Sequence, residues 1–84
     1  MELQKIISFS LMDIGDEIRK ARRALDITQK QLADRVNNKV IDVKLSQREV
    51  SLLEKGKGNP TLNKIEAIAL VLGKTWVLVD GNND

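Results

Sequence analysis

The sequence predicts an all-α fold of four to five short helices, closed by a single C-terminal β-strand, on three observations. Apolar residues recur at helical spacing in four stretches between positions 11 and 72. Two of those stretches begin with a Ser or Thr followed three residues later by Gln or Glu, the signature of a helix start. The segment TWVLVD, Thr75 to Asp80, then drops the helical pattern for β-branched and apolar residues between Gly73 and Gly81.

Taken in order, Ser10 with Asp13 forms an imperfect capping box, and Leu11, Ile14, Ile18, Ala21 and Leu25 give a helix over about 11–25. Asp26 stands where a left-handed residue would stop it. Thr28 with Gln31 is a full capping box, and Leu32, Ala33 and Val36 form the inner face of a second helix, about 29–37. Asn37 to Leu45, NNKVIDVKL, alternates loosely and fits a loop, a short ribbon or an extra helical turn; periodicity does not arbitrate. Ser46 with Glu49 caps a third helix over about 46–55, with Val50 and Leu53 as its apolar edge and Gly56 as its stop. After the turn KGKGNP, Thr61 caps a fourth helix at 62–72, with Leu62, Ile65, Ile68, Ala69 and Leu72 inward and Gly73 at its end. The chain thus divides into an N-terminal arm (1–10), extended in part, a helical domain (11–73), a strand (74–80) and a disordered tail (81–84).

Composition narrows the function. A chain of 84 residues is one domain and buries only about 60% of its unfolded surface, so association with a second copy is an expected remedy. With no cysteine and no histidine, thiolate chemistry, the commonest metal ligands and the commonest general base are missing. One Phe and one Trp make a poor base-stacking platform, which argues against single-stranded and RNA ligands. Fourteen basic against twelve acidic residues decide nothing until their placement is known. No apolar window approaches the roughly 18 residues of a membrane span, and MELQKIISFSLM lacks the build of a signal peptide. A cytoplasmic protein without metal or cofactor is expected. The phosphate-loop motif is absent, and Asp13, Asp16, Glu17, Asp34, Glu49 and Glu54 fall on exposed helix faces or caps, so no enzymatic activity is expected. A ligand-sensing regulator would need a pocket, and a second domain to supply one is not seen.

LSQREVSLLEKGKGNPTL, Leu45 to Leu62, follows a short capped helix with another whose leading end is polar, which describes a helix-turn-helix. The second of its helices enters the major groove of DNA with its N-terminal residues at base edges. Those residues are Gln47, Arg48 and Ser51. Gln matches adenine bidentately and Arg matches guanine O6 and N7. Lys55, Lys57 and the glycine turn suit phosphates, as does Gln29 at a helix N-terminus; Ser46 and Asn59 join them as phosphate contacts. The bland alternative is a solvated helix face followed by an ordinary soluble turn.

TQKQLADRV, SQREVSLLEKGKGNPTL and IEAIALVLG together resemble the helix-turn-helix domain of Cro and lambda-type repressors, the XRE family, over about residues 14–73. The likeness includes the Thr28-Gln29 start, Ser51 to Glu54, the turn from Gly56 to Pro60, and the closing Leu72-Gly73. It implies a lambda-repressor-like fold and a twofold dimer on palindromic operator DNA. By matching position, it gives base reading to Gln47 and Arg48 and backbone contacts to Gln29, Ser51, Lys55 and Lys57. It also implies an internal salt bridge between Arg22 and Glu54 that orients the recognition helix. Two departures stand out. The family turn is about three or four residues, whereas Asn37 to Leu45 separates Val36 from Ser46 here, which puts the angle between those helices in doubt. Lys39 and Lys44 on this insert either touch the DNA backbone or belong to a solvated loop. The second departure is the strand that stands where the family often has a fifth helix.

A lone strand carrying Trp76, Val77, Leu78 and Val79 needs a partner. The same segment of a second copy is the simplest supplier, and residues 3–8 could widen that sheet; the alternative has Trp76 packing on its own helices. A C-terminal strand after four helices, with Gln4-Lys5-Ile6 near the start, is similar to the HipB-like antitoxins. That similarity implies an autoregulating repressor, nucleoid-associated, which neutralises a HipA-type kinase toxin. The alternative is a free-standing repressor of phage or metabolic type with no toxin partner.

Overall fold

The computed structural model describes residues 7–9, 11–74 and 76–78, with side chains from residue 14 to 74. Their order is β1 (Ile7–Phe9), α1 (Leu11–Ala24), α2 (Gln29–Lys39), α3 (Gln47–Glu54), α4 (Leu62–Leu72) and β2 (Trp76–Leu78). Ser10, the side chain of Asp13, Thr75, Val79, the tail and the side chains of the expected dimerisation strand lie outside the described residues.

Local chemistry sets the helix ends. Both capping boxes are present: Thr28 with Gln31 opens α2 and Ser46 with Glu49 opens α3, each pair exchanging side-chain and backbone hydrogen bonds. Thr61 accepts from the Lys64 N–H and opens α4. Asp26 adopts φ 59° and ends the turn after α1. Gly73 takes φ 71° beyond α4, where the Lys74 N–H reaches back to the Ala69 carbonyl at 2.9 Å and satisfies the last turn.

The helices close on one apolar cluster whose fully buried members include Ile14, Ile18, Leu32, Val36, Val50 and Ile68. The inner faces anticipated for α2 and α3 are therefore the buried ones. Burying such side chains contributes about 1.5–3 kcal/mol each. Gly15 lets α1 press onto α3: a Cβ there would lie 2.0 Å from the Leu53 carbonyl oxygen.

Three expectations need correction. The first helix ends at Ala24, so Leu25 falls in the turn and is 45% exposed rather than core. Leu62, placed inward from its spacing, is 56% exposed and lines up with the exposed Glu66 and Leu70 on the outer side of α4. α2 runs two residues beyond the expected 37, since the Val40 N–H still finds the Val36 carbonyl at 2.9 Å. Of the three possibilities for Asn37 to Leu45, the first three residues continue the helix and the rest form a connection. Val43 and Leu45 are buried and anchor it to the core.

β1 and β2 pair in parallel within the chain, with Ile7 opposite Trp76, Ser8 opposite Val77 and Phe9 opposite Leu78. One edge of the C-terminal segment is thus taken by the chain's own N-terminal segment.

Candidate nucleic-acid interface

The leading end of α3 is held from behind. Val50 and Leu53 are buried in the core, which leaves Gln47 and Arg48 exposed on the first turn and Ser51 half-buried one turn on. The Ser46 hydroxyl accepts from the Glu49 N–H at 3.1 Å, and the Glu49 carboxylate accepts from the Ser46 N–H at 3.0 Å. The other carboxylate oxygen of Glu49 meets the Lys64 ammonium on α4. That hydrogen bond, followed by the one from the Ser46 backbone, holds the Glu49 pKa below its ordinary value. α3 is therefore fixed at its polar end as well as along its apolar edge.

Its other end is fixed by a buried charge. The Arg22 guanidinium grips Glu54 through two parallel hydrogen bonds: Nε donates to Oε2 at 2.6 Å and Nη2 donates to Oε1 at 3.0 Å. Arg22 Nη1 also donates to the Ile27 carbonyl at 2.9 Å. Gln29 Nε2 donates to Glu54 Oε1 at 3.1 Å. The hydrogen bond to Glu54 holds the Arg22 pKa above its ordinary value, against the lowering effect of burial. Glu54 is buried, which corrects its placement among carboxylates on exposed faces or caps; its pairing with Arg22 of α1 compensates the burial. One carboxylate thus joins the end of α1, the start of α2 and the end of α3.

Gln29 gives one of its two side-chain N–H donors to this network, so the other and the N-terminus of α2 remain to attract an anion. Gln29 and Gln47 line one open groove together with Arg22, Arg23, Asp26, Ile27 and Thr28. Arg23 is not among the residues the sequence singles out, and Thr28 stands there only as a helix cap; a basic residue beside a helix end, next to the cap of the following helix, is the available signal. Ser46 is exposed at the start of α3. Lys55, Lys57 and Asn59 are exposed beyond its end, in the turn where Gly56 and Gly58 adopt φ 74° and 88°. Gln29, Ser46, Gln47 and Arg48 thus fall at the leading ends of α2 and α3, whereas Lys55, Lys57 and Asn59 follow the trailing end of α3.

Two helices in sequence, a buried edge under the second and an exposed polar start to it are the geometry of a helix-turn-helix. The helix-turn-helix family model matches residues 18–79. The chain belongs to that family, in its XRE form. Comparison with curated proteins and with solved structures gave no match. As a helix-turn-helix protein of the XRE kind it is a DNA-binding transcription regulator. Among the described residues no helix is long and apolar enough to cross a membrane, and no group of His, Cys, Asp and Glu could hold a metal ion.

Proposed function

We propose that this helix-turn-helix protein is a repressor that binds a palindromic operator as a homodimer and occludes it. The observation that carries the proposal is the two-faced build of α3, with Val50 and Leu53 buried beneath it while Gln47 and Arg48 project from its first turn. In this reading Gln47, Arg48 and Ser51 contact base edges, and Gln29, Ser46, Lys55, Lys57 and Asn59 contact phosphates. Arg22 and Glu54 orient the recognition helix. A twofold dimer sets two copies of α3 in successive major grooves about 34 Å apart.

The dimer forms through residues 76–79. Support comes from the short length of β2, whose pairing with β1 covers three residues of one edge and leaves its second edge for the partner. The further partner is a HipA-type kinase toxin, by the resemblance of a strand following four helices to HipB-like antitoxins. A kinase gene beside the gene for this chain, with copurification of the two products, supports that role; its absence favours a free-standing repressor.

Selection of bound sequences from random duplex DNA tests the core of the proposal. The expected result is a palindrome with half-sites one helical turn apart. An asymmetric site or no enrichment overturns the repressor dimer.

A further inference from the structure

The connection from Val40 to Ser46 is a rigid projection with an apolar tip. Val43 and Leu45 are buried at its base, and the Asn37 side chain bonds Leu45 on both sides of its backbone. The Val43 N–H donates to the Val40 carbonyl at 3.2 Å and closes a turn over Ile41 and Asp42. Turn centres favour Gly, Asn, Asp, Pro and Ser, each for a backbone reason; isoleucine has none. Ile41 is nevertheless held out at 86% exposure, the most exposed large apolar side chain among the described residues.

Ile41 sits between two residues that line a shallow cavity of about 280 Å³, floored by Val40, Val43, Ala67 and Leu70. Leu62, Glu66 and Leu70 follow at four-residue spacing along one outer stripe of α4. Of the four exposed large hydrophobic side chains among the described residues, Ile41, Leu62 and Leu70 belong to this face. Its rim carries Asp42 and Glu66, and neither forms an ion pair among the described residues. Asp16, Glu17, Asp34, Glu49 and Glu54 each have a basic partner, and Asp26, on another face, is the other described carboxylate without one. Two open carboxylates beside an apolar patch offer a cationic partner both charge and apolar contact.

We infer that the face formed by the Val40–Val43 turn and the outer stripe of α4 docks a cationic amphipathic segment of a second protein. Its apolar side chains pack between Ile41 and Leu70, and its Lys or Arg head groups meet Asp42 and Glu66. The inference is independent of which residues read DNA bases.

A fluorescent 18-residue amphipathic helix of Leu and Lys, and its counterpart of Leu and Glu, are suitable probes for the full chain. Titration by anisotropy should show the Leu/Lys peptide bound, and bound about tenfold more weakly by Ile41→Ser. The double variant Asp42→Lys/Glu66→Lys should reverse the preference to the Leu/Glu peptide. Leu25→Ser, which removes an exposed apolar side chain elsewhere, should leave binding unchanged. Ile41→Ser should also keep its circular dichroism and its affinity for duplex DNA. Equal binding of both peptides, no reversal by the double variant, or equal loss with Leu25→Ser overturns the inference. So does sedimentation in which Ile41→Ser dissociates a self-associated chain, since the face would then belong to a second copy.

Discussion

Asn37 and Leu45 exchange two hydrogen bonds across the connection between α2 and α3. Asn37 Nδ2 donates to the Leu45 carbonyl at 2.8 Å, and Asn37 Oδ1 accepts from the Leu45 N–H at 2.7 Å. One side-chain amide thereby does what a neighbouring strand would do, and a connection longer than the family's still delivers Ser46 to a fixed starting point for α3. Asn37→Ala should lower unfolding free energy by about 1–2 kcal/mol, because two backbone groups lose their partners. Well below its melting temperature the variant should also discriminate less between operator and unrelated DNA. Urea titration and competitive binding check both; unchanged discrimination would show that the clamp stabilises the chain without aiming α3.

Breaking the Arg22–Glu54 pair from one side should be severe. Both side chains are buried, at 11% and 4% exposure, and the carboxylate also serves Gln29. Arg22→Met leaves a buried carboxylate facing one amide, at a cost of about 3–5 kcal/mol. Arg22→Met with Glu54→Leu should recover much of that loss, since a well-packed apolar pair needs no compensation. Thermal unfolding of the two variants gives the comparison. The double variant should remain impaired in DNA binding if the pair orients α3.

Gly15→Ala tests the approach of α1 to α3. Alanine ordinarily favours a helix interior by about 1 kcal/mol over glycine. Here its methyl group would meet backbone, 2.0 Å from the Leu53 oxygen, and backbone yields less readily than a side chain. The expected outcome is a net loss of about 1–3 kcal/mol in a denaturant titration. A stabilised variant would show that the helices can part at little cost.

Legibility followed locality. Capping boxes at Thr28 and Ser46, and the left-handed Asp26, are decided by a few adjacent residues, and the sequence displays them openly. Leu25 keeps the helical spacing yet lies past the end of α1, and Leu62 keeps it yet lines up with the exposed Glu66 and Leu70; periodicity says which residues share a face, not where a helix stops or how far the apolar face extends. The length of α2 was missed because Asn37, Asn38 and Lys39 carry no apolar signal, and the hydrogen bond that continues the helix is backbone. Gly15 was passed over inside a good helical pattern, although a glycine in that setting is itself a hint of close packing. The exposed positions of Gln47 and Arg48 agreed with the amphipathic reading of α3, while the tie from Gln29 to Glu54 is a tertiary contact between residues 25 positions apart.

Glu49 should make stability depend on acid pH. Its pKa is depressed, so it binds a proton less readily in the folded chain than in the unfolded one. Its contribution is therefore complete above the ordinary value of 4.5 and declines as pH falls through the lower folded value. The carboxylate is 39% exposed, so solvent screening keeps the effect modest. Glu49→Gln retains a side-chain oxygen for the Ser46 N–H but loses the charge facing Lys64. Its melting temperature should fall less steeply than that of the parent chain on acidification below that value. Parallel acid limbs would mean that the Lys64 contact contributes nothing in solution.

Base reading and phosphate holding separate in their dependence on sequence. Gln47→Ala or Arg48→Ala should cost about 1–3 kcal/mol on the operator and relax preference at the bases each side chain faces. Both residues are exposed, so their loss leaves the core beneath α3 intact. Lys57→Ala removes a charge from the glycine turn beyond α3. It should weaken operator and unrelated duplexes alike, and reduce the slope of log affinity against log salt by about one. Titrations of the three variants on both duplexes, repeated over a range of salt, distinguish the roles. If Gln47→Ala and Arg48→Ala behaved like Lys57→Ala, α3 would lie on the phosphate backbone rather than in the groove.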